Sequence, residues 1–583
     1  MTTMATAIAG AHKQWWATGD MPVREGSHVS YFIDGRATFL EMCRHFIRAR
    51  HSIYLANWGL EPEMELVRGS DRAAIIKDAE SHKAYVSELQ LAGLAAPDID
   101  FWLNNTLTVI NVLRYAAGKG VDVKVLLWKA KKSFAVYDPQ RVHDLLTEAG
   151  ITCLLDDSAE GILHHPIESL HQKATVIDGS YAFIGGLDPL IEKEDDFDRW
   201  DTPEHLYSTP LRRTHNETTP HAWHDVHTLI EGPAAGDVAL NFRQRWNDVI
   251  HRHHKIKKFL VSEQPLPPAV RSNSLVQIAR TVPKHTYSFD RNAIKGITQL
   301  YDHAFTNTEQ FVYLENQYFW THAYYGIDIP FVGNESPEMD QHVEQLCQAL
   351  KRGVTISIIL PDHPNVGRAF SDAALTALRN KVPEAEAEGR IQAFCLASSI
   401  YLDQPAHITR YRPIYVHAKV GIVDDEWYTI GSGNLNNRGM SDDTEINVAV
   451  LNSQQAHGLR ILLQGEHLGL VTAVDIDRAA RLLSNKPLNA SDKEHAQHIL
   501  DYLETTLGDP FAAVHLMHER AMDNLERFKV NQPLIGHLLP YLTTAEALNH
   551  HLKVNGDHGW IEEGAKPSQN SQDAENLEGK QEH

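Results

Sequence analysis

The sequence is poor in cysteine and in long apolar runs. Four of its 583 residues are cysteines, Cys43, Cys153, Cys347 and Cys395, and no two of them form a CxxC pair. Scattered thiols in apolar segments predict buried free cysteines, which argues against a disulfide framework and against a cysteine zinc site. No run of about 18 apolar residues occurs, so we expect no transmembrane helix.

Positive charge is also scarce. The 54 Lys and Arg residues are outnumbered by 76 Asp and Glu residues, and the formal net charge is −22. Because nucleic acids are bound mainly through positive surfaces, we expect no nucleic-acid partner, although a local basic pocket stays open. The N-terminus, MTTMATAIAGAHKQWW, lacks the basic start and leucine-rich core of a secretory signal. We therefore expect a soluble protein that is cytoplasmic in its producer or is secreted without a signal peptide.

The chain contains an internal repeat. Three pairs of segments match in the same order: RHSIYLANWG with QFVYLENQYF, LRYAAGKGVDVKVLLW with LCQALKRGVTISIILP, and LHQKATVIDGSYAFIGGLD with VHAKVGIVDDEWYTIGSGN. A helical pattern precedes each member of the first pair. In each member of the second pair, a β-branched run follows a turn that contains glycine. The repeat predicts two α/β halves with mixed, mostly parallel sheets covered by helices.

Composition suggests where the domains begin and end. A basic stretch followed by a proline-rich one indicates a linker, and the polar C-terminus is typical of disorder. The predicted divisions are an N-terminal segment 1–28, a first half 29–255, a linker 256–285, a second half 286–474, a helical segment 475–545 packed on the core, and a disordered tail 546–583.

One polar motif occurs in both halves. The pattern HxKxxxxD is formed by His171, Lys173 and Asp178 and again by His417, Lys419 and Asp424. A single copy is a weak signal that chance can produce. Two copies, each followed by glycine at matching places in a repeat, are far rarer and indicate function.

The spacing of the motif predicts a phosphate pocket. Residues i and i+2 of a strand point to one face, so the His and Lys of each copy project together. Two lysines balance the charge of a phosphate, and Asn434 and Ser432 can donate to its oxygens. One imidazole can attack phosphorus while the other protonates the leaving oxygen. We include Asp178 and Asp424 with the motif histidines and lysines among the catalytic residues, and expect them, a turn beyond the strand, to fix the loop and the lysine.

The paired motifs resemble those of the phospholipase D superfamily. Further segments resemble its plant and eukaryotic-type catalytic core: YLENQYF, PHAWHDVHTLIEGPAAGDVALNFRQRWN, SDDTEIN, EHLG and IGHLLPY. The resemblance spans roughly Val29 to Tyr541. It implies two pseudo-twofold-related α/β halves that share one active site. It also implies a phosphohistidine intermediate, with His171 as nucleophile and His417 as general acid and then base.

The resemblance implies further site residues. The family places a carboxylate that orients each histidine on the strand after each motif, and the candidates are Asp225 after the first and Glu445 after the second. Asp443 is the alternative to Glu445. Eukaryotic-type members also carry GGxD in the first half, which here ends in Asp188. This carboxylate would repel a phosphate, so we expect it to accept from a lysine or a headgroup hydroxyl.

The predicted function is that of a phospholipase D. It would hydrolyse the distal phosphodiester of glycerophospholipids to phosphatidic acid and a free headgroup, with transphosphatidylation as a side reaction. A phosphatidyltransferase of the cardiolipin-synthase type is the alternative, because only the second-step acceptor differs. A nuclease of the same superfamily is disfavoured by the acidic chain, and a scaffold with decayed motifs by the intact motif residues.

The expected cofactors and partners follow from the predicted phospholipase D function. The chemistry needs no metal, although calcium could stimulate at carboxylates. Histidines of HAWHDVH (His221, His224, His227) and HRHHK (His251, His253, His254) should diverge as solvated or capping side chains. The partner would be a phospholipid membrane surface, contacted peripherally by exposed Trp320, Tyr324 and Tyr325 or by HRHHKIKK, unless these aromatics lie in the core. We expect a monomer, and similarity to type VI secretion effectors raises the hypothesis of a secretion or immunity partner.

Overall fold

The structure is a computed structural model of the chain. It describes residues 13–72, 78–130, 136–160, 168–191, 197–213, 220–254, 259–290, 292–322, 336–403, 407–556 and 559–561. Within these ranges no helix is long and apolar enough to cross a membrane. The four cysteines lie within these ranges, are buried and form no disulfide bond there, which confirms that prediction.

Strands and helices alternate along both halves. The strands are β1 Val23–Arg24, β2 His28–Ile33, β3 Ser52–Asn57, β4 Asp122–Trp128, β5 Thr152–Asp156, β6 Ala174–Ile177, β7 Tyr181–Gly185, β8 Trp223–His224, β9 Val226–Glu231, β10 Leu275–Val282, β11 Ile294–Lys295, β12 Phe311–Asn316, β13 Thr355–Ile359, β14 Ile391–Leu402, β15 Ile408–Pro413, β16 Tyr415–Val416, β17 Lys419–Val423, β18 Trp427–Gly431, β19 Glu445–Leu451 and β20 Leu538–Pro540.

The helices cover the outer faces of the sheets. They are α1 Asp34–Arg48, α2 Ala79–Leu91, α3 Ala96–Asn104, α4 Val109–Gly118, α5 Pro139–Glu148, α6 Pro233–Arg252, α7 Gly296–Asn307, α8 Pro337–Lys351, α9 Arg368–Lys381, α10 Pro383–Ala387, α11 Ser453–His467, α12 Ala473–Leu483, α13 Ala490–Leu507, α14 Pro510–Lys529 and α15 Thr544–Asn549.

The two sheets have the same topology, which confirms the two-half α/β fold. The first sheet has the order β2-β9-β7-β6-β3-β4-β5, and the second runs β10-β19-β18-β17-β12-β13-β14 with β1 and β15 at its edges. Each strand of the first order therefore has a counterpart in the second. In both sheets the hairpin that follows the motif lies at the centre, β6–β7 in one and β17–β18 in the other.

Both sheets are mixed, as predicted, but most of their strand pairs are antiparallel, so the expectation of mostly parallel pairing is wrong. In the first sheet only β3–β4 and β4–β5 are parallel pairs, and the other neighbours are antiparallel. The reason lies in the short turn after each motif. It joins β6 to β7 and β17 to β18 as hairpins, which are antiparallel by necessity.

The linker prediction also needs correction. Leu275–Val282, placed in the linker 256–285, forms β10 and pairs with β19 over seven residues. It is the counterpart of β2, so the second half begins at 275 and not at 286. The N-terminal segment is not separate either, because Val23–Arg24 pairs with β10 as an edge strand.

The tail prediction fails over its first part. Helix α15 occupies Thr544–Asn549, and the side chains of Trp560 and Ile561 are buried against the second half. Residues 562–583 lie outside the described residues. The helical segment 475–545 is as predicted through α13 and α14, but it ends in β20, which pairs with β14.

A shared core joins the two sheets. One apolar cluster contains Val29 and Ile184 of the first half together with Ile430 and Val448 of the second. The rings of Tyr31 and Tyr428 meet edge to face at 6.3 Å across this boundary. The packing holds the two central hairpins against each other, and it brings the residues that precede them to a common site.

Candidate active site

The two motifs converge on one cavity of about 290 Å³. His171, Lys173, His417, Lys419 and Asn434 come together there: all but Lys419 line the cavity wall, and Lys419 lies just behind it, hydrogen-bonded to the lining residue Gln317. The histidines precede their strands, since β6 begins at Ala174 and β17 at Lys419. The extended backbone in front of each strand nevertheless keeps the alternation that points His and Lys to one side.

The halves exchange backbone contacts at this point. The backbone N–H of His171 donates to the carbonyl of Thr444 at 2.9 Å, and that of His417 donates to the carbonyl of His224 at 2.9 Å. Strands β8 and β16 pair in parallel to form a separate two-stranded sheet between the halves. Each motif therefore lies beside the segment that follows the motif of the other half.

This exchange determines which carboxylate orients which histidine. The Nδ1–H of His171 donates to Glu445, 2.9 Å from Nδ1 to Oε1, and that of His417 donates to Asp225, 2.7 Å from Nδ1 to Oδ2. The prediction identified both carboxylates but assigned each to the histidine of its own half, which is wrong. The crossed pairing leaves Nε2 of each imidazole available for a phosphate.

Burial controls the charge of these groups. It lowers the pKa of His171 well below its usual value, and the nearby cations Lys173, Lys419 and Arg438 lower it further. The pKa of His417 falls in the same way, first by burial and then by Lys419 and Lys173. Burial also raises the pKa of Glu445 well above its usual range. Without a bound anion, both imidazoles are therefore neutral near neutral pH.

Each motif lysine donates to the backbone carbonyl of the histidine two residues before it and also contacts a second partner. Lys173 donates to the carbonyl of His171 and lies 3.2 Å from Oδ2 of Asp188. Asp188 also accepts from Nδ2 of Asn57 at 3.0 Å. The buried Asp188 is therefore ion-paired with a lysine, which is close to one of the two roles expected for it.

The second lysine has neutral partners. Lys419 donates to the carbonyl of His417 and to Oε1 of Gln317, the latter at 3.2 Å. Nδ2 of Asn434 donates to the same oxygen at 3.3 Å. Burial lowers the pKa of Lys419 to about 7, with Asp225 opposing the shift and Lys173 adding to it.

The motif aspartates lie away from the cavity. Asp178 accepts from the backbone N–H groups of Arg50, His51 and Ser52, at distances from 2.7 to 3.2 Å. Asp424 accepts from the backbone of residues 309–311 in the same way. Both anchor the loop that enters the neighbouring strand, as expected. Neither contacts its motif lysine or the cavity, so their inclusion among the catalytic residues is corrected.

Two other predicted side chains have different partners. The hydroxyl of Ser432 bonds to the backbone of Ile446, donating to its carbonyl at 3.3 Å and accepting from its N–H at 3.0 Å. Ser432 is fully buried and lies outside the cavity lining, so it is not placed to bind phosphate. Asp443, the alternative partner of His417, instead pairs with Arg438 at 2.9 Å.

A glycine makes one of the crossed pairs sterically feasible. A Cβ atom added to Gly186 would lie 2.0 Å from Oδ1 of Asp225. No side chain fits in that gap, so the second glycine of IGGLD is needed for Asp225 to reach His417.

Several lining residues were not predicted from the sequence. Arg199 and Arg438 add positive charge to the wall of the cavity. The rings of Trp58 and Trp223 lie 6.1 Å from His171 and 4.7 Å from His417. Trp58 belongs to the repeated segment YLANWG and Trp223 to AWHDVH, and this membership is the sequence signal that could have identified them. Arg199, in a segment with no repeat partner, offered none.

The expectations for the histidines and aromatics are partly overturned. His221, His224 and His227 do diverge, but His224 and His227 are buried and not solvated. Trp320 is also buried, with its Nε1–H donating to Ser371 at 3.1 Å, so it cannot contact a membrane. Tyr324, Tyr325 and residues 255–258 of HRHHKIKK lie outside the described residues.

Comparison with known proteins identifies the family. The family model described as phospholipase D matches residues 100–332 and 391–549, and the model described as cardiolipin synthase, phospholipase D-like domain, matches 316–463. The chain belongs to the phospholipase D family. Phospholipase D alpha 1 of Oryza sativa is 26% identical over 73% of this chain, and that of Nicotiana tabacum is 23% identical over 79%. The matched regions cover 63% and 67% of those plant proteins.

Solved structures give weaker likenesses. Phosphatidylserine synthase of Haemophilus influenzae matches with a TM-score of 0.45 and 12% identity, over 85% of this chain and 97% of that one. Nuc of Salmonella typhimurium, a phospholipase D family member, matches with a TM-score of 0.21 and 18% identity, over 32% and 90%. The family assignment therefore rests on the sequence matches.

Proposed function

We propose that the protein is a phospholipase D that hydrolyses the distal phosphodiester of glycerophospholipids to phosphatidic acid and the free headgroup. The observation that carries the proposal is the pair of imidazoles in one cavity, each tied through Nδ1 to a carboxylate of the other half. This arrangement serves two-step transfer, because one nitrogen can attack phosphorus while the other handles the proton.

In the first step, Nε2 of His171 attacks phosphorus and the bond from phosphorus to the headgroup oxygen breaks. Nε2–H of His417 gives its proton to that oxygen. His417 is neutral in the free site, so it must gain its proton when the anionic diester enters, since a nearby negative charge raises an imidazole pKa. Glu445 and Asp225 hold the two rings in the required tautomer.

In the second step, His417 takes a proton from water as the water oxygen attacks phosphorus. The bond from phosphorus to Nε2 of His171 breaks, and phosphatidic acid is released. Throughout, Lys173, Lys419, Arg199 and Arg438 balance the charge on the phosphoryl oxygens. These ammonium and guanidinium groups do the work of charge neutralisation, so the proposed chemistry requires no metal at the phosphate.

The choice of a lipid substrate rests on the relatives. The plant proteins are named phospholipase D alpha, and the acidic chain disfavours a nucleic acid. On this proposal the protein acts as a monomer at a phospholipid surface. A role as a secreted effector with an immunity partner stays a prediction.

A phosphatidyltransferase is the second candidate. It is favoured by the match of residues 316–463 to the cardiolipin synthase model. The phosphohistidine would be the same, and an alcohol such as the free hydroxyls of phosphatidylglycerol would replace water in the second step.

The test is a substrate panel with purified protein. Vesicles of phosphatidylcholine and of phosphatidylglycerol are compared with single-stranded DNA, with and without calcium, and His417→Ala serves as the inactive control. Release of choline and phosphatidic acid supports the proposal. Cardiolipin as the main product from phosphatidylglycerol would favour the transferase, and cleavage of DNA without any lipid turnover would overturn both.

A further inference from the structure

A second cluster of histidines and carboxylates lies behind the active site. Its members are Asp34 at the start of α1, His205 between β7 and β8, His224 in β8 and Glu466 in α11. All four side chains are fully buried, and none of them lines the catalytic cavity. The mechanism above makes no use of them.

The four side chains meet at one point. Nδ1 of His224 lies 3.1 Å from Oδ1 of Asp34 and 3.1 Å from Oε1 of Glu466. Nε2 of His205 lies 2.9 Å from the same Oε1 and 3.4 Å from Oδ2 of Asp34. Ligands about 2.0–2.1 Å from a tetrahedral ion are separated by about 3.3 Å, so these distances fit the edges of such a site.

Both histidines are oriented as metal ligands usually are. The other ring nitrogen of His205 lies 3.2 Å from Oδ2 of Asp201, and that of His224 lies 2.8 Å from Oε2 of Glu315. A carboxylate on the far nitrogen fixes the tautomer and makes the ligating nitrogen more basic. Asp201 is held in turn by Arg212, whose Nη1 donates to Oδ2 at 3.0 Å.

A separate observation indicates that something is bound here. Oδ2 of Asp34 and Oε2 of Glu466 are buried and accept no hydrogen bond from any described residue. A buried carboxylate oxygen without a donor destabilises the fold, and native proteins rarely leave one in that state. A cation at the centre of the cluster would be a partner for Oδ2 of Asp34, which faces Nε2 of His205 at 3.4 Å.

We propose that Asp34, His205, His224 and Glu466 bind one divalent transition-metal ion, and that zinc is the ion their chemistry fits. Two imidazoles and two carboxylates in a tetrahedron suit zinc better than calcium or magnesium, which take more oxygen ligands. Four protein ligands close the site, so the ion is structural. It would hold His224 beside the N-terminus of α1, where Oδ1 of Asp34 also accepts from the N–H of Asp225 at 3.1 Å.

The first test measures metal in the full-length wild-type protein. The protein is purified from zinc-supplemented medium without a metal-affinity step, desalted, denatured and analysed by mass spectrometry for metals. We expect about one zinc per chain, and a lower Tm for protein refolded with a chelator than for protein refolded with zinc. The alternative is a metal-free cluster in which both imidazoles are protonated and carry the positive charge that the ion would supply. A metal-free wild type that refolds equally well with chelator or zinc would establish that state and overturn the proposal.

Variants locate the ion. His205→Gln and Glu466→Gln should each lose the bound zinc, whereas the control His457→Gln should keep it. His457 also lies between two carboxylates, Asp425 and Glu504, but near the surface and away from the cluster. If the cluster variants do not fold, anomalous scattering at the zinc edge from wild-type crystals decides. A peak among the four ligands supports the site, and a peak elsewhere, or none, contradicts it.

Discussion

Lys173 and Lys419 occupy equivalent positions in the two halves, but their neighbours differ in charge. Lys173 lies against the carboxylate of Asp188, whereas Lys419 lies against the amide oxygen of Gln317. The charge of the first lysine is thus balanced within the protein. The second, whose pKa burial lowers to about 7, becomes fully charged when an anion binds beside it. A cavity with pseudo-twofold symmetry could take a phosphodiester either way round. We expect this difference to orient the substrate, with its anionic oxygens toward Lys419.

The largest expected effect is the loss of turnover when either catalytic histidine is substituted, and a second substrate distinguishes their roles. His171→Ala and His417→Ala should each lower turnover of phosphatidylcholine by more than about 10³-fold, because one removes the nucleophile and the other the general acid. A phosphatidyl ester of p-nitrophenol needs no acid to expel its headgroup. His417→Ala should therefore still release a burst of p-nitrophenol, and His171→Ala should release none.

Circular dichroism of both variants provides the control for folding. A burst from His171→Ala and none from His417→Ala would exchange the two roles. Full activity of either variant on phosphatidylcholine would exclude the two-histidine mechanism.

The next largest effect is expected when the two carboxylates of the crossed pairs are substituted. Asp225→Asn should behave like His417→Ala and recover with the p-nitrophenol ester, because Asp225 orients His417. Glu445→Gln should behave like His171→Ala and stay slow with both substrates. Losses of about 10²–10⁴-fold are expected, as for an orienting carboxylate in a triad. The ratio of rates on the two substrates is the measurement, and the reverse pattern would restore the pairing within each half.

Substitution of the two lysines should lower the stability of the protein by different amounts. Lys173→Met leaves the buried Asp188 without a cation and should lower the free energy of unfolding by about 3–5 kcal/mol. Lys419→Met leaves only neutral partners and should cost less. Urea unfolding measures both. The double change Lys173→Met with Asp188→Asn should regain stability without activity, and equal costs for the two single variants would remove the proposed asymmetry.

The smallest effect concerns pH. His171 must be neutral to attack, and its pKa is lowered by burial and by nearby cations including Arg438. The acid limb of kcat/KM should therefore lie below pH 6.5, with activity lost as the pH falls through the lowered value. Arg438→Gln should move the limb upward. Arg24→Gln, which breaks a pair with Asp237 far from the cavity, is the control and should leave it unchanged.

Local patterns sufficed to predict part of this molecule. The motif histidines and lysines were found because a two-residue period and a repeat are both visible in the sequence. Asp225 and Glu445 were also found, but their partners were not, because the pairing depends on how the two sheets pack. The same holds for Asp34 and Glu466, which are far apart in the chain and meet only in the fold.

Other errors came from composition. The run LVQIARTV directly follows the basic and proline-rich stretch, and the linker predicted from that composition extends over it. In the fold it is a buried strand whose polar groups are satisfied: Nε2 of Gln277 donates to the carbonyl of Met21, and Arg280 pairs with Asp20. Composition cannot reveal such partners, because they are supplied by the N-terminal segment.

The crossed carboxylates make catalysis a property of the boundary between the halves. Neither half contains both members of a catalytic histidine–carboxylate pair, so a fragment with one motif cannot form either catalytic pair from its own residues. Any movement that separates the halves breaks both pairs at once, and activity should disappear as a unit. Natural variation at Asp225 should accordingly be correlated with variation around His417, and not with variation around the nearer motif.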